Sequence, residues 1–63
     1  MEAHQERVVA EADQLNERTN KLGAFLLSDL YKTLPEVEQK RLARQHTVMT
    51  QYLQVLNERI ADF

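Results

Sequence analysis

Apolar side chains recur along the first half of the chain at alternating steps of three and four. They are Val8, Ala12, Leu15, Leu22, Leu26 and Leu30, with Thr19 filling the one polar step. That spacing predicts a long helix over about residues 2–30, carrying a narrow seam of the coiled-coil type. Gly23 lies inside the pattern, where glycine weakens a helix by about 1 kcal/mol relative to alanine and a larger helix former is expected. The seam stays in phase on both sides of it, so a bend at most is expected there.

Ser28 to Pro35 is the one break. Thr33-Leu34-Pro35-Glu36 fits a capping box, in which Glu36 reaches back to the Thr33 amide. In an alternative, Leu34 is the cap and Pro35 the first helical residue, where its missing N–H costs nothing. Either way a second helix begins, over about residues 35–61. Residues 29–34 can be coil or a short extra helical turn. The second seam reads Leu42, His46, Met49, Leu53, Leu56 and Ile60, with Phe63 in phase beyond it.

Two long helices joined by a short connection lie antiparallel. Pairing the seams outward from the break sets Leu22 opposite Leu42, Thr19 opposite His46 and Leu15 opposite Met49. Ala12 then meets Leu53, Val8 meets Leu56, and His4 lies near Ile60. The expected fold is all-α, an antiparallel two-helix hairpin forming one domain over residues 1–63. Val37, Val48, Tyr52 and Val55 fall off the seam to one side, roughly doubling the apolar arc of the second helix. Surplus apolar surface implies a cover, either another copy or a ligand.

Composition sharpens this expectation. A 63-residue chain buries only about 60% of the surface it exposes when unfolded, and without cysteine it has no disulfide and lacks most structural zinc chemistry. Assembly into an oligomeric helical bundle is the remaining route to a sufficient core. The net charge of −2 argues against a nucleic-acid coat. No apolar run approaches the roughly 18 residues needed to cross a bilayer, and the polar N-terminus is neither a signal peptide nor a basic anchor. A cytoplasmic protein is expected.

Catalysis finds little support. His4 and His46 sit at opposite ends of the layers, and neither has a second histidine three or four residues away to make a metal pair. His46 in the seam reads as a polar layer fixing register. A single glycine cannot cradle phosphate, and the one serine, Ser28, has no histidine near it in sequence. The carboxylates of the first helix read as a solvated face with pairs such as Glu17 to Lys21. No enzyme, metal or cofactor is expected.

The arginines carry more information. At about 100° per residue, Arg7, Arg18 and Phe25 project on one flank of the first seam, and Arg41, Tyr52 and Arg59 on the corresponding flank of the second. In an antiparallel pair these flanks share a face, while Gln5, Asn16, Gln39, Ala43, Thr50 and Asn57 make the opposite face small and neutral. Layer matching divides the basic face in two. Arg7, Glu11, Tyr52 and Arg59 gather near the termini, and Arg18, Phe25, Arg41 and Gln45 nearer the break. Guanidinium forks beside an aromatic ring suit a phosphate next to a planar group. The acid-free run from Gln39 to Asn57, with Lys40, Arg41 and Arg44, adds a local positive field. The bland reading of the same face is an inter-subunit salt-bridge surface, with arginines meeting Glu11, Glu38 or Asp29 of a neighbour.

Three phrases also look familiar: His4-Gln5-Glu6-Arg7-Val8-Val9, Lys21-Leu22-Gly23-Ala24-Phe25-Leu26, and Met49 through Ile60. They resemble small phage and prophage helical proteins related to a crAss-like phage protein. The chain also looks like the small oligomeric proteins of the Sequestin and Lockin kind, with which phages sequester nucleotide signals of the Thoeris and CBASS defences. That resemblance implies a homo-oligomer in the bacterial host cytoplasm that binds an anionic nucleotide-like molecule without catalysis. Arg7, Arg18, Arg41 and Arg59 would hold phosphates, and Tyr52 would stack on base or ribose. The rival reading is a helical adaptor or inhibitor docking on a host protein through Val48, Tyr52 and Val55. A weaker one is a DNA-associated regulator using Lys40, Arg41 and Arg44.

Overall fold

The computed structural model describes all 63 residues and contains only helices: α1 (Ala3–Leu26), α2 (Asp29–Lys32) and α3 (Glu36–Ala61). The two long helices pack along their length into a rod of 45 × 14 × 13 Å. Val8, near the start of α1, meets Leu56, near the end of α3, so the pair is antiparallel. Val8, Ala12 and Leu56 form the core, with Leu15, Leu53 and Ile60 packed around them. These are the residues of the expected layers at the open end of the hairpin. Leu56 alone is fully buried, a burial that stabilises by about 1.5–3 kcal/mol. Thr19 is also buried, and its hydroxyl donates to the Leu15 carbonyl at 2.7 Å, which lets a polar side chain occupy the seam at little cost.

Two expectations need correction. The first helix ends at Leu26, short of residue 30, because Ser28 adopts an extended conformation (φ −84°, ψ 158°) and breaks the phase. Leu30 consequently leaves the seam and is 63% exposed. Neither proposed start of the second helix holds. The Thr33 hydroxyl donates to the Leu30 carbonyl at 2.6 Å, and Pro35 itself is the N-cap, accepting the Gln39 amide at 3.0 Å. Proline suits that role because its fixed φ is already extended-compatible and the cap position needs no donor.

At Gly23 α1 continues unbroken and without a positive φ, within the expectation of a bend at most. A Cβ at this position would lie 3.1 Å from Nε2 of His46. Side chains on a helix lean toward its N-terminus, so His46 leans toward the elbow and covers Gly23, one turn beyond its expected partner Thr19. Glycine here makes room for an imidazole.

The elbow is held by side chains reaching backbone. Ser28 Oγ donates to the Phe25 carbonyl at 2.6 Å and accepts from the Tyr31 amide, closing α1 and capping α2. The Tyr31 hydroxyl donates to the Gln39 carbonyl at 2.8 Å, and Gln39 Nε2 donates to the carbonyls of Leu34 and Lys32. Phe25 meets the Tyr31 ring edge-on at 6.1 Å.

Outside this core much apolar surface stays in water. Only four of the 63 residues are buried, while Val37, Val48, Tyr52 and Val55 along α3 are each 45–59% exposed.

Candidate functional site

α1 carries Arg7 and Arg18, and α3 carries Arg41, Tyr52 and Arg59; all five side chains are exposed. The packing of Val8 and Ile60 in the cluster around Leu56 brings Arg7, next to Val8, and Arg59, next to Ile60, to the same end of the rod. Arg41 and Arg59 are 18 residues apart on one helix, or about 27 Å along its axis. A single small ligand on one hairpin cannot touch both. The five residues therefore divide into an end near the termini (Arg7, Tyr52, Arg59) and an end near the elbow (Arg18, Arg41). Phe25 is engaged with Tyr31 at the elbow.

Cations of the two kinds behave differently. Each lysine meets a carboxylate on its own helix: Lys21 with Glu17 at 3.0 Å, Lys40 with Glu36 at 3.2 Å, and Lys32 with Asp29 at 4.0 Å. None of the five arginines makes an ion pair, although Arg7 has Glu11 four residues on and Arg59 has Asp62 three residues on. Exposed ion pairs of the lysine type contribute about 0–1 kcal/mol. Their interest here is that they leave the guanidinium forks as the open cationic donors of the surface.

Two grooves indent the rod. One, of about 430 Å³, is lined by Val37, Lys40, Arg41 and Arg44. It joins Arg41 to Lys40 and Arg44, which the sequence offered as a local positive field and as the basic residues of the weaker, DNA-associated reading. The usable signal was their spacing, with all three cations within five consecutive positions and no acid following before Glu58. The other groove, of about 480 Å³, is lined by Thr50, Leu53, Gln54, Asn57, Glu58 and Ala61. It includes Thr50 and Asn57 from the neutral face and none of the five residues singled out for binding. No three His, Asp or Glu side chains converge as metal ligands would, and no helix is long and apolar enough to cross a membrane.

Residues 2–62 match the Sequestin family. The chain belongs to that family. Among curated proteins, this Sequestin chain is 43% identical over 63 residues to an uncharacterized 7.5 kDa protein from the denB-rIIB intergenic region of Enterobacteria phage T4. The alignment covers 100% of the chain and 98% of the phage protein. No solved structure matches it.

Proposed function

We propose that this Sequestin is a phage anti-defence protein that binds a nucleotide-derived immune signal and withholds it from its effector without turning it over. The signal class is a cyclic ADP-ribose isomer or a cyclic dinucleotide, of the Thoeris or CBASS type, met in the cytoplasm of the bacterial host. The observation that carries this reading is the set of exposed arginines without carboxylate partners, on the same two helices as the exposed Tyr52. Planar guanidinium groups bind phosphate oxygens through paired N–H donors. Membership of the Sequestin family and kinship with a phage protein support the same direction.

In this reading Arg7 and Arg59 hold phosphate at the open end while Tyr52 stacks on base or ribose, and Arg18 and Arg41 contribute from the elbow end. One hairpin cannot bring both ends to one ligand, so a second copy completes the enclosure. The exposed Val48, Tyr52 and Val55 supply apolar surface for that copy to cover, and the small monomer core favours such a cover.

Titration calorimetry with cyclic ADP-ribose isomers and cyclic dinucleotides tests the proposal, together with chromatography of the released ligand. Saturable binding and recovery of unaltered ligand are expected. Absence of heat with every ligand, at protein concentrations well above micromolar, or conversion of the ligand, refutes it. The exposed stripe also favours a second reading, in which the protein docks on a helix of a host protein. Stoichiometric retention of one protein, with no nucleotide bound, would decide for that alternative.

A further inference from the structure

The groove at the start of α3 has an electrostatic character that the signal-binding reading uses only in part, through Arg41. It is a shallow depression of about 430 Å³ lined by one face of α3, with Val37, Lys40, Arg41 and Arg44 at helical steps of three and four. Lys40 and Arg44 are four residues apart, where like charges on a helix repel, and Arg41 adjoins them. Lys40 alone has an internal counter-charge, Glu36 at 3.2 Å; Arg41 and Arg44 have none. Glu36 and Glu38 stand in the first turn of α3, but no carboxylate lines the groove itself. Three like charges thus crowd one face of α3, with a single carboxylate paired among them.

We propose that this groove is an anion site for a phosphate or diphosphate group. Arg41 and Arg44 grip the phosphate oxygens, Lys40 turns from Glu36 to add a third donor, and Val37 packs beneath the carbon skeleton of a phosphate ester. Arg41 and Arg44 lie about 27 and 22 Å along α3 from Arg59, so on one hairpin the groove is separate from the open end, and it shares only Arg41 with the signal-binding reading. It stands whether or not a nucleotide signal binds at the open end. The same chemistry is offered by free diphosphate and by the diphosphate of a nucleotide, and the test separates them.

The full chain, labelled for amide NMR, is titrated with inorganic pyrophosphate, with ADP, and with sodium chloride at matched ionic strength. Pyrophosphate is expected to give saturable shifts centred on Val37 to Gln45, which chloride does not reproduce. Arg44→Gln is expected to weaken binding by about tenfold or more, equivalent to about 1.4 kcal/mol. Lys21→Gln, which removes the same charge elsewhere, is expected to leave binding unaltered. ADP binding at least as tightly as pyrophosphate identifies a nucleotide diphosphate as the natural occupant, and weaker ADP binding identifies the free ion. The proposal is overturned if chloride gives the same shifts, if Arg44→Gln binds like the parent, or if ADP binds while pyrophosphate gives no response. It is overturned equally if duplex DNA moves these amides at far lower phosphate concentration and releases them steeply with salt, which assigns the surface to nucleic acid. Failure here with signal binding intact removes the groove and leaves the proposed function standing; the reverse pattern removes only the proposed function.

Discussion

Gly23→Ala provides a direct reading of the seam. In an exposed helix interior this change stabilises by about 0.8–1 kcal/mol, since alanine loses less backbone entropy. Here the new Cβ meets His46 Nε2 at 3.1 Å, with Cδ2 at 3.7 Å and Cε1 at 4.0 Å. The ring must retreat by a few tenths of an ångström, and as the far end of a half-buried side chain it can rock rather than displace backbone. A rotamer pushed off its minimum costs about 0.5–1.5 kcal/mol, so the strain offsets about half or more of the gain. Gly23→Ala alone is therefore expected to fall between a gain of about 0.5 and a loss of about 0.7 kcal/mol. In a His46→Ala background the same change should recover its full value of about 1 kcal/mol, or about 4–8 °C in Tm for a domain of this size. Urea denaturation followed by circular dichroism, for both singles and the double at one protein concentration, completes the cycle. Equal effects of Gly23→Ala in the two backgrounds refute the placement of the imidazole over the glycine.

Other perturbations address other parts of the structure. Leu56→Ala empties the only fully buried site and should cost about 2–5 kcal/mol, seen as a large fall in the urea midpoint. Tyr31→Phe removes the donor to the Gln39 carbonyl and should cost about 1 kcal/mol, with faster amide exchange at the elbow as its signature. Replacing Val48 and Val55 with aspartate exposes no buried core, so helix content should persist at low concentration; sedimentation should show a shift to monomer if these side chains join copies. Arg59→Gln should weaken binding of the nucleotide signal by about tenfold, the value of a charge-assisted contact, with the fold unaltered by circular dichroism.

The period of three and four along Val8 to Leu26 and Leu42 to Ile60 was enough to pair the helices, because burial in a two-helix seam imposes that period directly. The helix boundaries were harder. Leu30 continues the numerical pattern, but the conformation of Ser28 is set by hydrogen bonds to Phe25 and Tyr31, which hydrophobic spacing does not encode. The Thr33 hydroxyl likewise donates to the Leu30 carbonyl, a local bond that the capping-box pattern does not encode. Gly23 looked like a defect because propensity counts only its own helix, whereas the space it leaves is used by α3. At the candidate site, the spacing of the arginines placed them on helix flanks, but spacing is silent on ion pairing. That Lys40 closes onto Glu36 while Arg41 and Arg44 stay open emerged only with side-chain positions. Arg44 was the residue most undervalued, since its angle departs from the flank although it shares the groove.

The elbow also governs the order in which the chain can organise itself. Tyr31 and Gln39 are eight residues apart, so their contact closes a very small loop, whereas bringing Val8 to Leu56 closes one spanning most of the chain. Assembly should therefore zip outward from the Ser28–Gln39 corner, with the ends joining last and separating first. Any molecule that bridges Arg7 to Arg59 would staple the part most prone to fraying, and its binding would be read as slower hydrogen exchange at both termini.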